Sequence, residues 1–251
     1  MPSSLDAWVV VPRPVVTIAK KRLFCFPFAG GGASVYRSWV GSLGPDIEVC
    51  PIQLPGRESR LLEPALADVD AMVAALLKCL PRYCDRPYAF YGHSMGALVA
   101  FELTRSIEKL GGMRGPERLF LAAHRAAHLP LQRPLMSTLS DTDFIEKIRG
   151  YGGFVDEILN NSEIMELILP TIRADFRLCD HYKLKDETLV QCPIHVFAGS
   201  QDTQTLLEST YSWSLRSKAP VDMQVFSGGH FFLQSHMHEV HDAIIKKLTP
   251  S

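Results

Sequence analysis

Tyr88-Ala89-Phe90-Tyr91-Gly92-His93-Ser94-Met95-Gly96-Ala97-Leu98-Val99-Ala100-Phe101 is the stretch that decides how this chain folds. Its first four residues are apolar or aromatic, as in a strand covered on both faces. Past Ser94 the period becomes helical. Leu98 and Phe101 make one apolar row and Val99, Leu103, Ile107 and Leu110 another, so this helix is expected to be buried in the middle of a domain. Between strand and helix, G-x-S-x-G leaves almost no chain for the reversal. So sharp a turn puts Ser94 in strained backbone angles and crowds the residues two positions to either side. Glycine at 92 and 96 removes the side chains that would collide.

Outward from this turn, short apolar runs alternate with helical segments, the pattern of a mainly parallel sheet covered by helices on both faces. The strand candidates are Leu23–Phe28, Ile47–Ile52, Tyr88–Tyr91, Leu119–Ala122, Ile194–Ala198 and Met223–Phe226, all read as buried on both faces. In Leu66–Leu80, the residues Leu66, Val69, Val73, Leu76, Leu77 and Leu80 share a helix face, as do Val240, Ile244, Ile245 and Leu248 near the C-terminus. Roughly 70 residues between the fourth and fifth strands have helical character and no strand. There Asp141–Ile148, Glu157–Leu169 and Arg173–Leu184 are punctuated by Gly150, Gly152, Gly153 and Pro170. The reading is one α/β domain, residues 1–251, of the α/β-hydrolase fold, with residues 128–187 inserted as a helical lid.

A strand–G-x-S-x-G–helix unit presents a serine nucleophile, here Ser94. A hydroxyl needs a base to take its proton, and the base needs an orienting acid. In this fold they follow in the order serine, acid, histidine. His230 is expected as the base, because Ser227-Gly228-Gly229 leads to it from the last strand. His93 lies inside the turn beside Ser94, His195 is mid-strand, and His124, His128 and His181 fall in or beside the insertion. His236, His238 and His241 read as a polar face of the last helix. Asp202 is the only carboxylate in the loop Gly199-Ser200-Gln201-Asp202 after the fifth strand, whereas Asp175, Asp180 and Asp186 read as solvated or structural. The oxyanion donors are expected to be the backbone N–H of Met95 and that of Ala29 in Phe26-Pro27-Phe28-Ala29-Gly30-Gly31-Gly32, with Phe28 the nearest alternative. That glycine-rich loop has neither G-x-x-x-x-G-K-[ST] nor G-x-G-x-x-G, which argues against a phosphate cradle. No histidine or cysteine spacing suggests a metal.

Composition narrows the classes further. The 251 residues are 47% hydrophobic and 21% charged, an ordinary globular balance. With 26 Lys and Arg against 27 Asp and Glu, the chain lacks the basic excess of a nucleic-acid binder. No apolar run reaches the roughly 18–20 residues of a membrane span. Asp6, Pro12, Arg13 and Pro14 break the apolar patch near the start, so that segment reads as an N-terminal arm rather than a secretory signal. Six cysteines without a CxxC pair in a chain of this size point to reduced thiols and a cytoplasmic protein.

Five stretches together resemble one family. Phe26-Pro27-Phe28-Ala29-Gly30-Gly31-Gly32-Ala33-Ser34, Leu54-Pro55-Gly56-Arg57-Glu58, Gly92-His93-Ser94-Met95-Gly96-Ala97, Leu169-Pro170-Thr171-Ile172-Arg173-Ala174-Asp175-Phe176 and Gly228-Gly229-His230-Phe231-Phe232-Leu233 are similar to the type II thioesterases, the stand-alone editing enzymes of polyketide and non-ribosomal peptide synthases. The resemblance implies hydrolysis of aberrant or stalled acyl thioesters on the phosphopantetheine arm of acyl or peptidyl carrier proteins. It implies Ser94, Asp202 and His230 as the triad, Met95 and Ala29 as oxyanion donors, and no cofactor beyond the arm the partner carries. Leu169–Phe176 would lie in the lid, with Arg173 and Asp175 structural. Ala122-Ala123-His124-Arg125-Ala126 departs from relatives that have serine or glycine near the lid entrance, which bears on pocket shape. A medium-chain fatty acyl thioesterase, a carboxylesterase and a non-catalytic binding protein on the same scaffold are the alternatives. A monomer is expected. Arg57, Arg60, Arg82 and Arg86 read as a solvated polar face, with an acidic carrier surface as the other reading.

Overall fold

The computed structural model describes residues 6–11 and 19–249. Of the expected N-terminal arm, residues 1–5 and 12–18 lie outside the described residues. Within it Trp8 and Val9 are buried, and Val9 bridges antiparallel to Ile52.

Six strands form one parallel sheet in the order β2-β1-β3-β4-β5-β6: β1 Lys21–Phe26, β2 Ile47–Pro51, β3 Tyr88–His93, β4 Leu119–Ala122, β5 Ile194–Gly199 and β6 Val221–Phe226. Alternate residues of β1 feed the two faces. Phe24 and Phe26 join the core beneath α1 (Val69–Cys79) and α2 (Met95–Leu110), while Leu23 and Cys25 join the core beneath α8 (Met237–Leu248). Asp68 caps α1 by accepting the Ala71 N–H at 3.0 Å, which is why this helix starts at Val69 and leaves Leu66 outside. On α2, eleven residues are buried, from Met95 to Ile107, as its two apolar rows require, but Leu110 at the end of the second row is exposed because the helix ends there at Gly111. β6 differs from the expectation. It is an edge strand with Asp222 and Val225 exposed, because among the described residues no further strand pairs along its far side.

Between β4 and β5 lie α3 (Asp141–Tyr151), α4 (Asp156–Leu159) and α5 (Ser162–His181), which share a small core of their own that includes Phe144, Ile148, Ile172 and Phe176. Two helices were expected where the single α5 runs. Pro170 sits inside it rather than between two helices. A proline there removes one i→i−4 bond, and the apolar face of Met165, Ile172 and Phe176, buried against α3, holds the helix together across the gap. Among the described residues no helix is long and apolar enough to cross a membrane. The remaining short helices are α6 (Leu207–Tyr211) and α7 (Phe232–Ser235).

Candidate active site

The order of strands reverses at β1, which has β2 on one side and β3 on the other. Ligands of open parallel sheets bind beyond the carboxyl ends of the strands at such a switch point. The loop after β1 and the turn after β3 meet there. Ser94 follows directly on β3 with φ 54° and ψ −117°, a conformation that side chains rarely adopt. A Cβ on Gly92 would lie 2.5 Å from the Ala97 nitrogen and closer still to the Gly96 carbonyl. One on Gly96 would lie 2.6 Å from the Phe26 carbonyl carbon and 2.8 Å from the Pro27 oxygen. Gly92 thus lets the chain turn, and Gly96 lets α2 start against the end of β1. The second contact seats the start of α2 on the glycine-rich loop. As the first residue of α2, Met95 has no helical carbonyl one turn back to bond.

The side chains read as a triad converge although they lie far apart in sequence. His230 Nε2 is 3.0 Å from Ser94 Oγ, and His230 Nδ1 is 2.8 Å from Asp202 Oδ2. The other oxygen of Asp202 accepts the backbone N–H groups of Gln204 at 2.7 Å and Thr205 at 3.1 Å. The Asp202 carboxylate is almost wholly buried, and Ser94 is partly open to a cavity of about 240 Å³. Phe28, Ala29, Ser94 and His230 line that cavity on the sheet side, and Ile148, Tyr151, Phe154 and Phe176 line it from the inserted helices.

Sequence reasoning set His93 aside, yet its Nε2 donates to the backbone carbonyl of His230 at 2.8 Å. A carbonyl only accepts, so the His93 proton is on Nε2. Burial, reinforced by the nearby His230, keeps the ring neutral by pushing its pKa well below the ordinary value. The strand-to-helix turn and the base-bearing loop are therefore tied together from behind. His124, another set aside, is buried in the cavity wall, and burial followed by the Arg125 charge takes it down to about 3. Ala123 holds a positive φ of 52°, and Thr205 donates its hydroxyl to the Ala123 carbonyl at 3.3 Å.

Other expectations need correction. Arg57 and Arg60 are not a solvated face: both are buried, Arg57 against Asp175 and Arg60 against Glu63 and over the Trp8 ring at 4.2 Å. Arg86 donates to the Ala19 carbonyl at 2.8 Å. His241 is buried under the edge of Trp39 and within 3.1 Å of the Ser42 hydroxyl, so the last helix has no continuous polar histidine face. Asp180 and Arg173, by contrast, are structural as expected: Asp180 is buried and accepts from Arg133 at 2.7 Å and the Ser137 N–H at 2.8 Å, while Arg173 reaches Asp141 at 2.6 Å. Among the described residues no cluster of three or more His, Cys, Asp or Glu could hold a metal ion.

A family model described as thioesterase domain matches residues 21–248. The chain belongs to the thioesterase family. Among curated relatives it is 36% identical over 246 residues to the gramicidin S biosynthesis protein GrsT of Aneurinibacillus migulanus, covering 98% of this chain and 95% of that one. It is 34% identical over 220 residues to thioesterase PikA5 of Streptomyces venezuelae, covering 87% and 78%. Among solved structures, the type II thioesterase BorB from the borrelidin biosynthetic cluster superposes with a TM-score of 0.88 at 32% identity, over 97% of this chain and 98% of that one. This thioesterase thus has the α/β-hydrolase architecture read from its sequence, with homologues among the type II thioesterases of peptide and polyketide biosynthesis.

Proposed function

We propose that this thioesterase clears aberrant or stalled acyl groups from the phosphopantetheine arm of acyl or peptidyl carrier domains serving polyketide or non-ribosomal peptide synthases, with Ser94, His230 and Asp202 as its triad. The observation that carries the reading is the hydrogen-bonded run from Asp202 through His230 to a Ser94 hydroxyl that opens on the cavity. His230 takes the Ser94 proton as Oγ attacks the thioester carbonyl, and Asp202 holds the imidazolium that forms. The N–H groups of Met95 and Ala29 receive the developing oxyanion. The leaving thiolate, of reference pKa about 8.5, departs readily and carries off the proton held by the His230 imidazolium, which returns the base to its neutral form. Water, deprotonated by His230, then attacks the acyl ester and restores Ser94.

The inserted helices act as the lid. The cavity of about 240 Å³ lies below the roughly 300–1,000 Å³ usual for drug-sized ligands, which favours short acyl groups over long fatty chains. Six unpaired thiols fit a reducing, cytoplasmic compartment. One chain holds every group the scheme needs, so a monomer suffices, and the pantetheine arm belongs to the partner.

The test compares acyl groups loaded on a carrier protein with the same acyl groups on a free thioester and an oxygen ester, with Ser94→Ala as control. Strong preference for the carrier-bound thioester is expected. Equal or better turnover of the oxygen ester would make this a general esterase, and hydrolysis surviving in Ser94→Ala would remove the triad.

A further inference from the structure

We propose that Asp175, on α5, is a positioning residue for the oxyanion loop, so that the pose of the inserted helices decides whether the Ala29 N–H is aimed at the reacting carbonyl. The proposal rests on the hydrolytic reading above. Phe28 to Gly31 form a tight turn in which the Gly31 N–H donates to the Phe28 carbonyl at 2.9 Å. The Phe28 carbonyl and the Ala29 N–H belong to one trans peptide plane and point in opposite directions. Fixing that carbonyl by the turn therefore aims the Ala29 N–H the other way, and Ala29 lines the cavity.

The turn has little of its own to hold it, because Ala29, Gly30 and Gly31 are small. It is clamped from α5 instead. Asp175 Oδ2 accepts the Gly30 N–H at 2.7 Å and Arg57 Nη1 at 2.6 Å, and Oδ1 accepts Arg57 Nη2 at 2.8 Å. Arg57 Nη1 also donates to the Gly31 carbonyl at 3.2 Å, and Arg57 Nε and Nη2 both donate to the Pro55 carbonyl at 3.2 Å. The Asp175 side chain is wholly buried and that of Arg57 nearly so. Two of the four residues of the turn are thus gripped by one ion pair, whose acidic half is delivered by the inserted helices. Thr171, one turn earlier on α5, adds a hydroxyl bond to the Gly56 carbonyl at 2.7 Å, beside Arg57.

Stability alone does not call for charges here. A buried ion pair is often replaced by apolar residues of similar volume at no loss, whereas removing one partner is costly. A carboxylate beside a developing oxyanion is also unfavourable until Arg57 neutralises it. What the pair supplies is direction: a bidentate fork fixes the carboxylate, and the carboxylate fixes the Gly30 N–H. Movement of α5 takes Asp175 away from Gly30 and releases the turn.

The test uses Asp175→Asn, which keeps an acceptor for Gly30, and the apolar double variant Arg57→Met with Asp175→Leu. For each, kcat and KM on an acyl thioester are measured beside affinity for an acyl boronic acid, which forms a tetrahedral anion on Ser94, and for a thioether analogue of the substrate. The double variant is expected to lose about 10²–10³ in kcat and a comparable factor in boronate affinity, the usual cost of one oxyanion donor, with Asp175→Asn in between. KM and thioether affinity should stay within roughly threefold, since ground-state binding is untouched. Folded variants that keep kcat and boronate affinity would overturn the proposal, as would parallel losses in all four quantities. Failure of both variants to melt cooperatively would also overturn it, by making the pair purely structural. A wild-type chain inactive on every thioester would instead refute the hydrolytic reading.

Discussion

Asp202→Asn is the substitution whose effect can be worked out from the geometry. In the native site Oδ2 faces His230 Nδ1 at 2.8 Å while Oδ1 accepts two backbone N–H groups, from Gln204 and Thr205, at 2.7 and 3.1 Å. An asparagine must choose. With its carbonyl oxygen on the two N–H groups, its NH2 faces His230 Nδ1, which then has to accept. The imidazole proton moves to Nε2, and His230 can no longer take the proton of Ser94. Turning the amide over restores the competent tautomer but sets an NH2 against two buried donors. Leaving those donors unsatisfied costs about 1–3 kcal/mol each. A total of about 4 kcal/mol leaves roughly one molecule in a thousand competent, at 1.36 kcal/mol per decade. A loss of about 10³ in kcat is therefore expected, with a melting temperature close to wild type because the shape of the side chain is unchanged. Single-turnover acylation by a chromogenic acyl thioester reads this step directly, with Ser94→Ala as the floor. A folded Asp202→Asn enzyme that loses less than about tenfold would refute the reasoning, because His230 would then owe its tautomer to something other than Asp202.

Gly92→Ala should cost about 4 kcal/mol or prevent folding, since its Cβ would meet only backbone. A melting temperature lower by roughly 8–16 °C is expected, and an unchanged one would mean the turn can relax. Burial holds His195 and His241 at about 4, and the Asp222 carboxylate 3.7 Å from His195 is too distant to offset it. Both pKa values are depressed on folding, so the unfolded chain binds more protons between about 6.5 and the folded values. The contribution of these two histidines should thus be level above about 6.5 and fall as pH drops toward about 4. His195→Phe should lessen that acid slope in urea titrations at pH 5, and an unaltered slope would exclude His195 as a source. Burial pushes Cys79 and Cys84 up to about 11 and Cys50, Cys179 and Cys192 up to about 12. Iodoacetamide at pH 8 should label the native chain negligibly and the urea-denatured chain at all six cysteines, as counted by intact mass. Rapid labelling of the native chain would show that a thiol is more exposed than its burial implies.

The turn around Ser94 was readable because its five-residue pattern is local, and so is one of its constraints: a Cβ on Gly92 would meet the Gly96 carbonyl four residues on, whereas Gly96 is kept bare by the backbone of Phe26 and Pro27. The Arg57–Asp175 pair was not, because its partners are 118 positions apart. A charged residue taken singly is best assigned to solvent, and only the fold reveals that two of them are buried face to face. His241 is an intermediate case. It falls on the same helix face as Val240, Ile244 and Leu248, so the period placed it inward while its residue type argued for water. The period prevailed, since an imidazole can pack neutral under Trp39 with one hydroxyl partner. Pro170 misled in the opposite direction. A breaker was visible, but the tertiary contacts that hold α5 across it were not. Asp222 and Gln224 alternate with apolar residues in β6, a sign of an edge strand that the apolar run around them obscured.

Every group that would act on the thioester comes from the carboxyl ends of the sheet: the oxyanion loop from β1, Ser94 from β3, Asp202 from β5 and His230 from β6. Parallel strands bring these ends to one edge, so residues 94, 202 and 230 meet without sharing a segment. The same edge would serve an oxygen ester equally well, since proton transfer and oxyanion binding are common to both reactions. Selection among substrates must therefore come from the elements that close the cavity. Of these, α5 both walls the cavity through Phe176 and, one residue earlier, bonds to the loop that would hold the oxyanion. A substrate that displaces α5 would disturb catalysis as well as fit, whereas one that leaves it in place would find the oxyanion loop set. Discrimination in this arrangement should appear in kcat more than in KM, as binding interactions realised only in the transition state require.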